Sequence, residues 1–300
     1  IGHDGREDAR SFTETAQGGQ ELETLAEITA VKREKQAAIV HDWQNKWALE
    51  GSCGPRNAGM GYWDELKRHY NALAREGIAV EFVDQNADLT GYGLVVVPML
   101  YLLTDAFAKK LCAFAQNGGT VIVTYWSGVV DESDLCRLGD TPYGLTELLG
   151  LRRTEIDGMY DGETRRCVPS AGCTLPAAQA STLCEVAALD EKDPAEPLSL
   201  YAEDYFAGHP AAAVHRYGKG RAYYLASRFD EAFYRAFYHD AAKEIGLSPA
   251  WPEALPEGVL AVRRGSFVFV QNCTEQPATV GNTVLDRYRT AVWKDMDRIF

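Results

Sequence analysis

The stretch that decides the fold is residues 94–125, LVVVPMLYLLTDAFAKKLCAFAQNGGTVIVTY. It opens with the apolar run 94–97 and continues into a helical pattern that Thr104 can N-cap. The Asn-Gly-Gly sequence at 117–119 ends that helix, and the β-branched run 120–125 follows as a second strand. Two buried strands joined by a helix predict a right-handed crossover within a parallel sheet.

The same alternation continues on both sides of this segment. Upstream, we predict strands at 37–40 and 78–83 around a helix at 62–75, with Gly77 just past the helix end. Near-continuous apolar strands indicate a parallel sheet with helices on both faces. The expected fold class is therefore α/β, a flavodoxin-like three-layer sandwich.

Less regular patterns follow downstream. The sequence predicts a short helix at 145–149, a hairpin formed by 211–216 and 221–227, and a helix at 233–245, whereas 168–189 receives no assignment.

The two ends of the chain differ from this central part. Residues 12–30 have the spacing of an amphipathic helix, which Gly18-Gly19 weakens. Pro252 and Pro256 indicate a linker, and a hairpin of 259–263 and 266–271 begins a small C-terminal all-β unit. We expect three parts, at 1–33, 34–249 and 250–300.

Composition excludes several classes of protein. Acidic side chains outnumber basic ones by 43 to 30, which gives a formal charge of −13. Such a surface repels phosphate groups, so no nucleic-acid partner is expected. No apolar stretch approaches the roughly 20 residues of a membrane-spanning helix, so no membrane partner is expected. The seven cysteines contain no C-x-x-C pair, so we expect no metal site. No cofactor is expected either. An odd number of thiols is typical of a reducing cytoplasm, the expected location. These cysteines are Cys53, Cys112, Cys136, Cys167, Cys173, Cys184 and Cys273.

Aromatic and acidic residues cluster after the first predicted strand. Asp42-Trp43, Trp47 and Glu50 suit either a sugar platform or a subunit interface, and we favour packing or an interface. Among the histidines, His41 at the strand end is the one to inspect for chemistry, and His69 is expected at the surface or its boundary.

Ser127 is the candidate nucleophile. A nucleophile elbow has glycines two positions before and after the nucleophile, whereas this chain has Tyr125 and Val129 there. A structural turn is the favoured interpretation, with Asp131-Glu132 solvated or at an interface.

Four segments together resemble family 42 glycoside hydrolases, β-galactosidases built on a TIM barrel. The run 39–50, IVHDWQNKWALE, is similar to a signature of that family, and 94–103, LVVVPMLYLL, is similar to its VAPxLYLL strand. Residues 118–132 resemble its GGTLVxxYxSGIVDE segment, and 3–12 resemble the stretch that leads into the last barrel helix. The joint match covers about residues 1–250, and 258–300 resemble the small C-terminal β domain.

The resemblance implies a piece of a longer enzyme. Residues 1–33 would be the last helix of a TIM barrel, and 34–249 a flavodoxin-like trimerisation domain, similar to class I glutamine amidotransferases but without their catalytic cysteine. In the family two barrel glutamates hydrolyse terminal β-D-galactosides with retention, and the acid/base Glu follows an Asn. This chain has no Asn-Glu dipeptide, so no catalytic residue is carried over and the chain itself is expected to be inactive.

The resemblance also implies a homotrimer and places candidate residues at its interface or at the wall of the active-site funnel. These candidates are Trp43, Trp47, Tyr101, Trp126 and Asp131. Two alternatives remain open at this point. One is a free-standing amidotransferase-like or hydrolase-like α/β enzyme that uses Ser127 or a cysteine and is labelled by a serine- or thiol-directed probe. The other is a carbohydrate-binding domain with saturable galactoside binding.

Overall fold

The computed structural model describes residues 5–32, 34–52, 54 and 59–298. These form two compact units: one is Lys35–Pro249, and the other combines the segments that flank it. Each unit has its own buried apolar clusters. His3 and Asp4, which belong to the stretch 3–12, and the thiol of Cys53 lie outside the described residues.

One half of the large sheet in Lys35–Pro249 is parallel. Its central strands are short and entirely buried, as their continuous apolar sequences predict. Ile39 lies opposite Phe82 on one side and Val96 on the other, and Val96 lies opposite Ile122. The parallel strands are β1 (Ala37–Val40), β2 (Val80–Val83), β3 (Leu94–Val97), β4 (Thr120–Thr124) and β10 (Gly220–Leu225). Their spatial order is β2-β1-β3-β4-β10.

The other half of this sheet is antiparallel, so the expectation of a parallel sheet holds for only part of it. Beyond β10 the order continues β9-β8-β6-β7-β11, and β5 pairs with β7. The unassigned stretch 168–189 contains all of β7, which is buried on both faces over much of its length and therefore lacks an alternating pattern. The antiparallel strands are β5 (Leu151–Gly158), β6 (Arg165–Pro169), β7 (Ala178–Leu189), β8 (Glu196–Tyr201), β9 (Pro210–Tyr217) and β11 (Ser227–Phe229).

Helices cover both faces of the sheet. On one face, Ile39 and Ile122 pack in a buried apolar cluster with side chains of α3 and α6. On the other face, Val40 and Val123 pack in a second cluster with side chains of α4 and α5. The helix α2 was not predicted, although its sequence carries the signal of an Asp N-cap. The helices are α2 (Trp43–Gly51), α3 (Tyr62–Arg75), α4 (Asp105–Gln116), α5 (Thr146–Leu149) and α6 (Glu231–Ile245).

Several local predictions are confirmed. The helix at Tyr62–Arg75 and the strand at Leu94–Val97 have the expected bounds at both ends. Thr104 caps α4 as expected, because its hydroxyl accepts the backbone N–H of Phe107 at 3.2 Å. The hairpin of β9 and β10 is also present.

The second unit combines an N-terminal helical segment with a small β structure. The single helix expected over 12–30 is instead α1 (Arg10–Thr24) followed by a 3-10 helix, Ala26–Ala30. The described part of α1 buries no side chain. The buried contact with the β structure comes from Ile28, which packs with Phe267 and Val292, and Lys294 also pairs with Glu27 at 2.6 Å. The strands are β12 (Val259–Arg264), β13 (Phe267–Asn272), β14 (Ala278–Val280), β15 (Thr283–Leu285), β16 (Thr290–Lys294) and β17 (Asp297–Arg298).

Candidate functional site

The candidate residues gather at the carboxyl edge of the parallel strands, where open α/β sheets place their ligands. The chain leaves β1 at Val40 and turns into α2 at Asp42. The Asp42 carboxylate caps α2 by accepting the backbone N–H groups of Gln44 at 2.9 Å and Asn45 at 3.2 Å. This cap fixes the direction in which α2 leaves the sheet, and with it the positions of the tryptophans on α2.

Asn45, which sequence reasoning did not single out, ties α2 to the segment that follows β3. Its buried amide donates to the carbonyl of Met99 at 3.1 Å and accepts the backbone N–H of Leu102 at 2.9 Å. The Met99 carbonyl also accepts the backbone N–H of Tyr101 at 2.8 Å, whereas the Leu102 N–H has only Asn45 as a partner among the described residues. The amide thus completes the hydrogen bonding of an irregular turn in which Met99 has a φ of 44°.

His41, Trp43, Trp47 and Trp63 form a contiguous surface, which we call the tryptophan patch. The ring of His41 stacks on Trp63 at 4.7 Å between centroids and meets Trp43 edge-on at 5.1 Å. Trp43 lies 6.3 Å from Trp47 and 6.0 Å from Trp63. The three indoles remain 54%, 61% and 43% exposed in the order Trp43, Trp47, Trp63. Such a cluster of large exposed aromatic rings is typical of a binding surface.

Lys46 and Glu50 place a charged pair beside the tryptophan patch. Lys46 lies over the ring of Trp43, 5.8 Å from its centroid, and pairs with Glu50 at 2.5 Å. Burial lowers the pKa of His41, Asp42 opposes that shift and Lys46 adds to it. The imidazole is therefore neutral at pH 7 and behaves as a further aromatic ring of the patch.

Tyr101 and Trp126 lie together but inside the molecule. Their rings stack at 5.5 Å with an interplanar angle of 21°, and they are only 7% and 5% exposed. Trp126 follows β4 with a φ of 59°, a left-handed conformation that is unusual for a bulky residue. Its indole N–H has no hydrogen-bond partner among the described residues. These two predicted site residues thus differ from Trp43 and Trp47, which are exposed.

A buried charged pair holds the turn at Trp126. The backbone N–H of Trp126 donates to the Glu185 carboxylate at 2.9 Å, and Arg153 donates to the same oxygen at 2.7 Å. The hydroxyl of Tyr224 donates to the other oxygen. Burial, followed by the Glu185 charge, raises the pKa of Tyr224 well above its usual value, so the hydroxyl stays protonated. Four donor and acceptor groups are satisfied together, a network that sequence reasoning missed.

Asp131, the last predicted site residue, closes a local turn. Its carboxylate accepts the backbone N–H groups of Ser133 at 2.8 Å and Leu135 at 3.1 Å. These hydrogen bonds lower the pKa of Asp131. The geometry is that of a self-contained Asx turn, which agrees with the structural alternative proposed for this segment.

Ser127 and three of the thiols have the environments of structural groups. The Ser127 side chain is buried, and its oxygen accepts the backbone N–H of Leu100 at 3.0 Å. Burial raises the pKa of Cys167 and of Cys184 to about 12, the opposite of what an activated thiolate requires. Burial also raises the pKa of Cys112. The alternative of a free-standing enzyme therefore gains no support from these groups.

The expectation for His69 is wrong, because α6 covers this part of α3 and the imidazole is fully buried. His69 Nδ1 contacts the hydroxyl of Tyr238 at 2.6 Å, and Nε2 lies 3.2 Å from the carboxylate of Glu65. Glu65 also accepts from Arg228 at 2.7 Å and from Tyr234 at 2.8 Å. Glu65, with its contacts on α6 and β11, therefore links α3 to both elements.

The pKa of Glu65 reports the balance of these contacts. Burial alone raises the pKa, but the contacts with His69, Arg228 and Tyr234 outweigh it and lower the pKa from 4.5 to about 2. Glu65 is thus a buried carboxylate that stays ionised, as a stabilising group would, rather than one poised to exchange a proton near neutral pH.

Among the described residues, no three His, Cys, Asp or Glu side chains come together as a metal site would require. None of the helices seen there has the combined length and apolarity of a membrane-spanning segment.

Comparison with known proteins identifies the family. A family model described as the β-galactosidase trimerisation domain matches residues 35–248, nearly all of the unit Lys35–Pro249. β-Galactosidase BglY from Alicyclobacillus acidocaldarius is 42% identical over 93% of this chain, and Pbg from Clostridium perfringens is 33% identical over 95%. The chain spans 41% and 42% of the lengths of these relatives.

Solved structures agree with this assignment. The β-galactosidase from Rahnella sp. R3 superposes with a TM-score of 0.90 at 37% identity, covering 98% of this chain and 46% of that one. The enzyme from Bacillus circulans sp. alkalophilus gives a TM-score of 0.86 at 30% identity, covering 99% of this chain and 46% of that one. The resemblance to family 42 glycoside hydrolases is confirmed, and the chain belongs to the family of β-galactosidase trimerisation domains.

Proposed function

We propose that this chain is the non-catalytic, self-associating portion of a β-galactosidase. The observation that carries the proposal is the match of the trimerisation-domain family to residues 35–248 in a chain that spans only about four-tenths of its relatives, 41% for BglY. The parent enzyme would hydrolyse terminal β-D-galactosides with retention, using two glutamates that lie outside these residues. A retaining glycosidase needs a rigid pair of carboxyl groups, and the sequence here contains no Asn-Glu dipeptide.

The tryptophan patch is the surface that we propose for contact with a second copy in a homotrimer. Three partly exposed indoles in mutual contact are costly to leave in water, and buried Trp residues dominate the energy of many interfaces. The anchors at Asp42 and Asn45 keep α2 rigid, so little side-chain and backbone entropy remains to be lost on binding.

The other predicted interface or funnel-wall residues would act differently. Because Tyr101 and Trp126 are buried and stacked, we propose that they shape the turn after β4 from within the molecule. The backbone of that turn and the neighbouring loops would then face the partner. Asp131 holds the turn 131–135 in place. We propose that these three residues support the surface from within, whereas Trp43 and Trp47 touch the partner.

We also propose a flavodoxin-like assignment for the parallel half of the sheet. The strand order β2-β1-β3-β4-β10 is the 2-1-3-4-5 order of that fold class, and helices lie on both faces. The antiparallel strands from β9 onward would be an addition to it. A cytoplasmic location is proposed as well, because the six described cysteines are all free thiols.

Light scattering combined with an activity assay tests the main proposal. The 300-residue chain should show a mass above that of one 33.1 kDa copy and should not hydrolyse an aryl β-galactoside. Turnover of the galactoside by the purified chain would contradict the non-catalytic assignment. A parent enzyme that remains monomeric at every concentration would contradict self-association.

A further inference from the structure

We propose that the groove between α3 and α6 is a binding site for a phosphate group, separate from the self-association surface. The groove encloses a cavity of about 180 Å³. Arg68, Arg75 and Arg235 line it, together with the amide side chain of Asn71. None of these residues belongs to the tryptophan patch.

The spacing of the residues explains why they converge. Arg68, Asn71 and Arg75 are separated by three and four positions on α3, so they share one face of that helix. Arg235 lies on α6, which packs beside α3. Ala72 and Tyr234 are buried and close the cavity from below.

The charges around the cavity are unusual for this chain. Over the whole chain, acidic residues outnumber basic ones by 43 to 30. The charged residues that line the cavity, among those that the structure describes, are nevertheless three arginines and one acid, Glu231. Glu231 pairs with Arg75. In the part of the chain that the structure describes, neither Arg68 nor Arg235 has a hydrogen bond or an ion pair. Both side chains are exposed at the mouth of the cavity, so their N–H donors are available to an anion that enters it.

The chemistry of the lining favours a phosphate over the other ligand classes. Arginine presents paired N–H donors that match the oxygens of phosphate, and the Asn71 amide adds a neutral donor. A neutral sugar does not need three cations. The volume lies below the about 300–1,000 Å³ of pockets for larger ligands, which fits a single phosphate group with its remaining substituent in solvent.

The phosphate group could belong to a free phosphate ion or to a sugar phosphate. Calorimetric titration of the 300-residue chain with inorganic phosphate, glucose 6-phosphate and glucose at low salt separates these sources. Tighter binding of glucose 6-phosphate than of inorganic phosphate indicates the ester, whereas equal binding indicates the free ion. Glucose, which lacks the phosphate, should not bind in the cavity.

Substitutions test the residues. Arg68→Ala and Arg235→Ala should each weaken phosphate binding by about tenfold. Arg216→Ala, which removes an exposed arginine of β9 outside the cavity, is the matched control and should change nothing. Glu231→Gln should tighten binding by a few-fold, because it removes the single carboxylate that lines the cavity and competes with phosphate for Arg75. Thermal melts followed by circular dichroism verify that each variant is folded.

Absence of binding to the wild-type chain at about 10 mM phosphate would be one result that overturns the proposed site. Equal binding by wild type, Arg68→Ala and Arg235→Ala would be another, and so would an equal loss in Arg216→Ala, which would indicate non-specific attraction. Weaker binding in a folded Glu231→Gln variant would also contradict the proposed role of that carboxylate.

Discussion

The backbone N–H of Trp126 donates a hydrogen bond to the buried carboxylate of Glu185, 59 residues away in the sequence, at 2.9 Å. Trp126 has a left-handed backbone conformation, so the turn after β4 needs a partner of this kind to persist. Glu185 lies on β7 and its other contacts come from Arg153 on β5 and Tyr224 on β10. One carboxylate thus connects the parallel half of the sheet to the antiparallel half.

Replacing Glu185 with Gln should destabilise the protein strongly. The Arg153 guanidinium would remain buried without its counter-charge, and breaking such a pair costs about 3–5 kcal/mol. Urea unfolding measures the change. Glu50→Gln is the control, since it breaks the more exposed pair with Lys46 and should cost less than about 1 kcal/mol. Equal losses in the two variants would show that the buried network is not a major source of stability.

Trp126 allows a separate test of backbone strain. Because its φ is 59°, Trp126→Gly should be more stable than Trp126→Ala, even though glycine usually destabilises folded chains. The expected difference is about 1 kcal/mol, the cost of a left-handed conformation for a residue with a Cβ. Both variants lose the stacking on Tyr101, so that loss cancels in the comparison. A more stable alanine variant in urea unfolding would mean that the turn relaxes to another conformation.

Glu65 predicts how stability depends on pH. Its pKa is about 2 in the folded chain against an ordinary value of 4.5, so its ionised form stabilises the fold above pH 4.5. That contribution decreases as the pH falls from 4.5 towards 2, and the pKa difference corresponds to about 3 kcal/mol. Glu65→Gln should therefore be less stable than wild type at pH 7 and should lose less stability on acidification.

Unfolding free energies measured from pH 7 down to pH 2.5 check this expectation. Asp88→Asn is a suitable control, because that carboxylate is exposed and its low pKa arises mainly from hydrogen bonds with Thr90. If wild type and Glu65→Gln lose stability in parallel over this range, Glu65 is not the group that titrates.

Local signals in the sequence predict most of the parallel half and its helices. Apolar runs and caps such as Thr104 are properties of a few neighbouring residues, so they can be read without knowledge of the fold. The antiparallel half could not be predicted in this way, because β7 is buried on both faces and shows no alternation. His69 was misplaced for a related reason: its cover, Tyr238, is 169 residues away.

In the candidate site, too, only contacts between residues close in the sequence could be predicted. Trp43 and Trp47 lie four positions apart and could be recognised as neighbours, and both lie on the exposed surface. Trp63 completes the patch from α3, and only the packing of α3 beside His41 reveals it. The difference between exposed Trp47 and buried Trp126 has no local signal, since it depends on which strand end each residue follows and on what covers it.

The tryptophan patch gives the prediction that bears most directly on function. In the parent enzyme, alanine at Trp43, Trp47 or Trp63 should weaken self-association by tenfold or more, because a central Trp at an interface commonly contributes about 2 kcal/mol. Leu138→Ala removes a more exposed apolar side chain outside the patch and should leave the association constant unchanged. Light scattering over a dilution series measures both. Because the three indoles are already partly in water, the monomer should lose little stability, so thermal melts separate an interface role from a folding role. A patch that only packs against its own chain would show the reverse: an unchanged mass and a lower melting temperature.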